Sequence, residues 1–126
     1  ANQSITTFAY SPLGGGLLTG KYAKTNDGRL GTDDRYAARY GVAAMHDAAT
    51  ALTDLAKRHG HDPATLAVAW VAAHSTAPVP IISARSTAQL GPSLAGLDLT
   101  LTPDLYAELS ALFPNPPPPT DRIEET

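Results

Sequence analysis

The chain has 126 residues, of which 43% are hydrophobic, so it is long enough to bury the core of one ordinary domain. Its net charge of −3, without a basic stripe, argues against nucleic acid and anionic membranes as partners. The absence of cysteine excludes disulfides and thiolate metal sites, and no apolar run approaches the ~20 residues of a membrane span. The N-terminus has neither the basic start nor the apolar stretch of a signal peptide, and we expect a soluble, cytoplasmic protein.

The N-terminal part is predicted to form a strand followed by a glycine loop. Residues 5–10 are β-branched and aromatic, as in a strand, which ends at Pro12 and the glycines after it. Residues 22–35 are polar and contain an Asn-Asp-Gly turn sequence, which indicates an exposed loop. Because a strand follows the first residue almost at once, we expect that the chain lacks an upstream part of a larger protein.

The next element is predicted to be a helix over residues 36–59. Cationic side chains at its end and Gly60 immediately after it are typical of a helix C-terminus. Apolar residues recur at the spacing of one helical face, which we expect to be buried. They are Met45, Ala48, Ala49, Leu52, Leu55 and Ala56.

A second helix is predicted over residues 62–74, and a second strand follows it. Asp62 suits the N-cap, and Pro63 suits the first helical position. The helix is apolar on almost every side, which predicts deep burial, with Trp70 in the core and its indole N–H bonded to one partner. Residues 79–83 form a short, continuously apolar run, typical of a parallel strand covered on both faces.

Two further helices are predicted near the C-terminus. Ser86 and Gln89 fit a capping box, but Pro92 lacks an N–H, so the helix either restarts there or has one distorted turn. The last helix starts with Thr102 as its N-cap and is followed by a polar tail over residues 114–126. We expect this helix to bury Leu105, Leu109 and Leu112.

Strands that alternate with helices indicate a parallel α/β sheet. However, a sheet of two strands is marginal in water and cannot cover both of its faces. We therefore expect the chain to be a portion of a larger α/β fold.

Three segments carry the most specific sequence signal. They are residues 10–22 (Tyr-Ser-Pro-Leu-Gly-Gly-Gly-Leu-Leu-Thr-Gly-Lys-Tyr), 66–71 (Leu-Ala-Val-Ala-Trp-Val) and 80–90 (Pro-Ile-Ile-Ser-Ala-Arg-Ser-Thr-Ala-Gln-Leu). In this order and at this spacing they resemble the aldo-keto reductases, in particular the bacterial type that is related to potassium-channel β subunits. The resemblance covers essentially the whole chain.

The resemblance implies an α/β fold, namely part of a (β/α)₈ TIM barrel, which takes roughly 250 residues or more when complete. Residues 1–35 would supply strand 7 and the cofactor loop, 36–76 helices, 77–113 strand 8 and the closing helices, and 114–126 a tail. The family's catalytic Asp, Tyr, Lys and His lie earlier in the barrel and have no counterpart here. The resemblance therefore implies no catalytic residue in this chain, and the chain alone is expected to be inactive.

The resemblance also implies that the first strand and its loop bind NADP(H). Tyr10 would stack on the nicotinamide ring, and Lys21 would close over the phosphates, with Arg29 or Arg35 assisting. The pyrophosphate would be lined by Ser11, Pro12, Leu13, Gly14 and Gly15. Glycines suit this role because they allow the backbone to approach phosphate closely.

At the second strand, the resemblance implies contacts with the adenosine half of the cofactor. The residues concerned are Ser83, Ala84 and Arg85. The planar fork of Arg85 suits the 2′-phosphate, and Gln89 matches a family position near adenine. Where the family commonly has Glu and Asn, this chain has Pro92 and Ser93, which departs from the family's adenine contacts.

Each of these features alone has an ordinary structural explanation. The glycines could form a plain loop, Tyr10 could be a core aromatic residue, and Arg85 could be a solvated cation. His59 and His61 have no further ligand nearby in sequence, so no metal site is predicted.

Two functions remain open from the sequence. The chain could be the C-terminal NADP(H)-binding portion of an aldo-keto reductase that transfers hydride between NADPH and a small aldehyde or ketone. Alternatively, it could be a non-catalytic nucleotide-binding or assembly module that lacks the catalytic tetrad. Under both interpretations, uncovered strand edges predict self-association or a need for a complementing chain.

Overall fold

The computed structural model describes residues 4–21 and 43–113. In chain order its elements are β1 (Phe8–Ala9), a 3₁₀ helix (Gly14–Thr19), α1 (Ala43–His59), α2 (Pro63–Ala72), β2 (Val79–Pro80), α3 (Thr87–Asp98) and α4 (Pro103–Ala111). The loop predicted over residues 22–35, the start of the helix predicted from residue 36 and the tail from residue 114 lie outside the described residues.

Strands β1 and β2 form a parallel two-stranded sheet. Two pairs of residues lie opposite each other across it: Phe8 with Val79, and Ala9 with Pro80. The backbone N–H of Val79 donates to the Thr7 carbonyl, and that of Ile81 donates to the Ala9 carbonyl, both at 2.8 Å. The carboxyl ends of the two strands therefore meet at one edge of the sheet.

Both strands are shorter than the predictions of 5–10 and 79–83, which were wrong in extent. Pro80 has no N–H to add to the ladder. At the end of β1, Ser11 adopts a left-handed conformation with φ 54°, which breaks the extended backbone. Each strand has one partner in the described part of the chain.

Helix α1 buries most of the predicted face. The buried residues are Ala48, Ala49, Leu52, Leu55 and Ala56. The prediction for Met45 was wrong, because this side chain is 39% exposed in the first turn, ahead of the segment that joins the core. Gly60 ends the helix with φ 71°, and the His61 N–H then bonds the Ala56 carbonyl at 2.9 Å, as in a Schellman motif.

Helix α2 is the central helix of the core. The Asp62 side chain accepts a hydrogen bond from the Ala64 N–H at 2.8 Å, which confirms the predicted N-cap. Residues 64–69 are all buried, whereas Trp70 and the last turn are half-buried. The prediction of deep burial thus holds for the first two turns of the helix.

Helix α3 crosses α2 closely because Gly96 lies at the contact. A Cβ on Gly96 would lie 2.6 Å from the Thr65 carbonyl oxygen, so only glycine fits without movement. The Thr65 hydroxyl donates to the Pro92 carbonyl at 2.7 Å, and Ser93 is buried beside this contact. Helix α3 is continuous through Pro92, so the predicted restart at Pro92 is wrong.

Helix α4 closes the other side of the core. The Thr102 hydroxyl accepts from the Leu105 N–H at 3.2 Å, which confirms the predicted N-cap. Leu105 and Leu109 are buried as predicted, but Leu112 lies past the helix end and is only half-buried. Within residues 4–21 and 43–113, every helix falls short of the length and apolar character that crossing a membrane needs.

Helices α2 and α4 also share a polar contact. The indole N–H of Trp70 donates to the Ser110 hydroxyl at 2.8 Å, and the Trp70 ring stacks on Tyr106 with 6.1 Å between centroids. The indole N–H therefore has the single hydrogen-bond partner that was predicted for it, the Ser110 hydroxyl. Trp70 is half-buried and packs against the edge of the core.

Candidate functional site

The two segments predicted to bind a cofactor leave the sheet at the same edge. Because β1 and β2 are parallel, the glycine loop after β1 and the segment that leads to Arg85 after β2 start side by side. Ligands of parallel α/β sheets bind at the carboxyl ends of strands. The pairing thus joins two sequence segments that are about seventy residues apart.

Tyr10 and Ser11 form the exit from β1. Tyr10 is 68% exposed and, by the alternation of side chains along a strand, lies on the same face as Phe8. Ser11 has φ 54°, which is uncommon for a residue other than glycine. Such backbone strain is often found at ligand-binding positions, and here it directs the chain from the strand into the loop.

The glycine loop is a tight turn whose backbone conformation favours glycine. Gly14, Gly15 and Gly16 have φ values of 56°, 67° and 96°, three left-handed residues in succession. A Cβ would cost roughly 1–2 kcal/mol at each of them. The requirement for glycine at the predicted phosphate-binding positions is thus explained by backbone conformation.

Hydrogen bonds within the loop determine its shape. The Gly14 N–H donates to the Ser11 carbonyl at 2.9 Å, and the Gly16 N–H donates to the Leu13 carbonyl at 3.0 Å. The Leu13 carbonyl also accepts from the Leu18 N–H at 3.1 Å. Two of the glycine N–H groups that could face an anion are therefore engaged inside the loop.

Thr19 was not singled out by sequence reasoning, but it secures the end of the loop. Its hydroxyl donates to the Gly16 carbonyl at 2.7 Å, and the Lys21 N–H donates to the same hydroxyl at 3.4 Å. Gly20 packs against α1, because a Cβ there would lie 3.0 Å from the Thr53 hydroxyl oxygen. The backbone at Lys21 is thus held close to helix α1. The position of Thr19 directly before Gly20 and Lys21 is the sequence feature that could have indicated this role.

The segment after β2 ends at an exposed cation. Ser83, Ala84 and Arg85 are all exposed. Ser86 is the N-cap of α3, and its hydroxyl accepts from the Gln89 N–H at 3.3 Å. The Gln89 side-chain oxygen in turn accepts from the Arg85 N–H at 3.0 Å. The predicted capping box is therefore present, with its return bond one residue earlier than usual.

An apolar cleft behind the glycine loop is a separate feature. It has a volume of about 160 Å³ and is lined by Pro12, Leu18, Leu52, Ala67, Trp70, Val71, Leu109 and Phe113. Its lining is almost entirely apolar, so it does not suit a phosphate group. The cofactor site proposed from sequence lies instead on the exposed edge of the sheet.

Comparison with known proteins decides the family. Residues 1–113 match the model of the aldo/keto reductase family. The chain belongs to this family. A member of the aldo/keto reductase family is expected to have a (β/α)₈ barrel, of which the described residues contain two short parallel strands and the helices packed beside them.

Three curated relatives illustrate the match. The chain is 35% identical over 113 residues to protein Tas of Escherichia coli, covering 87% of the chain and 32% of the relative. It is 35% identical over 109 residues to the uncharacterized oxidoreductase YrpG of Bacillus subtilis, covering 86% and 32%. It is 31% identical over 119 residues to a probable voltage-gated potassium channel subunit beta of Oryza sativa, covering 89% and 36%.

The chain spans about one third of the length of these aldo/keto reductase relatives. The predicted resemblance, including the link to potassium-channel β subunits, is thus confirmed. The structure brings the segment that begins at Tyr10 next to the segment that ends at Arg85. Arg29 and Arg35 lie outside the described residues.

Proposed function

We propose that this chain is the C-terminal NADP(H)-binding portion of an aldo-keto reductase, with β1 and β2 as the seventh and eighth strands of the barrel. The proposal rests on one observation, the parallel pairing that starts both predicted cofactor segments at one sheet edge. The four divisions of the chain follow from it: 1–35 with strand 7 and the cofactor loop, 36–76 with helices, 77–113 with strand 8 and the closing helices, and 114–126 as a tail.

The chemistry of the residues present fits a nucleotide with three phosphate groups. Lys21 follows the glycine loop and Arg85 follows β2, so each segment ends in a cation suited to phosphate. In the proposal, Lys21 closes over the pyrophosphate and Arg85 holds the 2′-phosphate. The pyrophosphate is lined by Ser11, Pro12, Leu13, Gly14 and Gly15.

The remaining positions serve the two ring systems. The largely exposed ring of Tyr10 offers a flat surface on which the nicotinamide stacks. Ser83, Ala84 and Gln89 lie at the adenosine half. In the complete enzyme, NADPH supplies a hydride to a small aldehyde or ketone, and the proton comes from residues outside this chain. In this proposal the protein is cytoplasmic. The chain on its own binds the cofactor but does not reduce carbonyls, because the proton donor is absent from it.

Cofactor titration with a matched pair of arginine variants tests the proposal. NADPH and NADH are titrated into the chain, and binding is followed by nicotinamide fluorescence. Arg85→Leu should remove at least about tenfold in NADPH affinity and leave NADH affinity unchanged, because it removes one charged hydrogen-bonding group from the 2′-phosphate.

The control is Arg58→Leu on α1. Arg58 is an exposed arginine in the last turn of α1 that pairs with Glu108 of α4 at 3.8 Å. This variant should bind NADPH as the wild type does. Equal losses in both variants, or no binding of NADPH by the wild-type chain, would contradict the proposal.

A second function, a non-catalytic assembly module, is favoured by the exposed apolar face of the sheet. Phe8 is 62%, Val79 44% and Ile81 51% exposed. Such a face suits a neighbouring chain. The mass of the gene product in its native host separates the two functions. A product of 126 residues would favour the module, and one about three times longer would favour a complete reductase.

A further inference from the structure

The Gln89 side chain and the Arg85 backbone form an unusual hydrogen bond. Gln89 is in the first turn of α3, and its Oε1 accepts from the Arg85 N–H at 3.0 Å. Gln89 also donates its own N–H to the Ser86 hydroxyl at 3.3 Å. One residue thus binds both the helix cap and the residue before the cap.

This pattern departs from an ordinary capping box in one respect. In that motif the side chain at the third helical position returns to the N–H of the N-cap residue itself. Here the N-cap is Ser86, and the return bond goes to Arg85 instead. The bond therefore ties the helix to the segment that comes from the strand, which an ordinary box does not do.

The consequence is that the segment between β2 and α3 is held at both ends. At its start, the Ile81 N–H donates to the Ala9 carbonyl of β1 at 2.8 Å. At its end, the Arg85 N–H donates to Gln89. Only residues 82–84 lie between these two anchors, so the direction in which Arg85 leaves the backbone is set relative to both the sheet and α3.

We propose that Gln89 is a positioning residue for Arg85: its Oε1 fixes the Arg85 backbone so that the guanidinium is presented to the 2′-phosphate of the cofactor. This inference rests on the proposed function and deepens it. It gives Gln89 a role through Arg85, which replaces the direct contact with adenine that the resemblance implies.

Two substitutions of similar length separate the acceptor from the rest of the side chain. Gln89→Met removes the acceptor, whereas Gln89→Glu keeps an oxygen at the same position. Both residues are good helix formers and position 89 is exposed, so both variants should fold as the wild type does. Amide hydrogen exchange of the ligand-free chain, measured by NMR, reports the bond directly.

In this experiment the Arg85 amide should exchange about fivefold faster or more in Gln89→Met and as slowly as in the wild type in Gln89→Glu. The Ile81 amide, bonded across the sheet, should be unchanged in both variants. An Arg85 amide that exchanges equally fast in the wild type and in Gln89→Met would overturn the inference. Equal acceleration at Ile81 would also overturn it, because Gln89 would then be stabilising the sheet in general.

A binding cycle with 2′,5′-ADP as the probe tests the link to the phosphate. Gln89→Met should weaken binding about fivefold in the wild-type chain. In the Arg85→Leu background the same change should have no further effect, because Gln89 acts through Arg85. If the double variant loses affinity by the product of the two single-variant losses, Gln89 contacts the nucleotide independently of Arg85, which would contradict the positioning role.

The two proposals fail in different ways. If the exchange pattern is as expected but the wild-type chain does not bind 2′,5′-ADP, the proposed cofactor is wrong, and the positioning role in phosphate binding is wrong with it. If 2′,5′-ADP binds and depends on Arg85 but not on Gln89, the proposed function stands and the inference about Gln89 is wrong.

Discussion

Phe8 lies directly opposite Val79 in the parallel ladder, and both side chains are exposed, by 62% and 44%. Their neighbours Ala9 and Pro80 lie on the other face of the sheet, toward the helices, and are half-buried. The sheet therefore has a covered face and an apolar uncovered face. We expect this uncovered face to associate with a second copy of this chain or with a complementing chain.

Replacing both residues should weaken self-association. In the double variant Phe8→Thr/Val79→Thr, both positions carry β-branched threonine, which suits a strand, but the apolar surface is lost. We expect the dissociation constant of any dimer, measured by sedimentation equilibrium, to rise at least about tenfold. The control is Leu97→Gln, at a leucine of α3 that is 47% exposed. Equal dissociation of both variants would show that association does not use the sheet face.

Two glycines of α3 should differ in how well they tolerate alanine. At Gly96 the new Cβ would lie 2.6 Å from the Thr65 carbonyl and 2.8 Å from the Val68 Cβ, so the helices must separate. We expect Gly96→Ala to lower the free energy of unfolding by about 1–3 kcal/mol. At Gly91 a Cβ meets nothing within 4 Å apart from its chain neighbours, but alanine directly before Pro92 is disfavoured in a helix, which offsets the higher helix propensity of alanine. Gly91→Ala should therefore change the free energy of unfolding by less than Gly96→Ala does. Urea unfolding followed by circular dichroism measures both, and a loss at Gly91 as large as at Gly96 would refute this account.

The left-handed conformation of Gly15 should matter for cofactor binding. Its φ is 67°, so Gly15→Ala is strained by roughly 1–2 kcal/mol and should shift the loop. We expect NADPH affinity to fall by about fivefold or more. Asparagine tolerates this conformation better, so Gly15→Asn should keep more of the affinity. If asparagine is no better than alanine, backbone conformation is not what requires glycine here.

The bond between Trp70 and Ser110 should contribute measurably to stability. Ser110→Ala leaves the indole N–H without its partner, and we expect a loss of about 1 kcal/mol in the free energy of unfolding. In a Trp70→Phe background, Ser110→Ala should cost much less, because the bond is already absent. Unfolding is followed by circular dichroism, since Trp70 is the sole tryptophan. The exposed Ser75 provides the control Ser75→Ala, which should be neutral.

Local chemistry predicted the helices well. Asp62 and Thr102 cap their helices through the bonds expected of them, and Gly60 ends α1. Each of these features depends on residues within one turn of the helix end, so the sequence contains what is needed. The buried face of α1 was predicted from periodicity, except at Met45.

Features that depend on distant partners were predicted less well. The lengths of β1 and β2 depend on which strands pair with them, which propensity does not reveal. The close crossing at Gly96 and the bond from Thr65 to Pro92 join helices far apart in sequence. At the candidate site, Gln89 was singled out for adenine, and its bond to the Arg85 N–H became visible only in three dimensions.

Every buried apolar side chain in the described part of the chain belongs to a helical segment, from Leu17 of the 3₁₀ helix to Leu109 of α4. The two strands contribute none. Opening of the sheet therefore exposes little that the core needs, and it should occur more readily than unfolding of α2. Under the proposed function, we therefore expect substitutions at the strand ends to change nucleotide affinity without lowering the melting temperature of the chain.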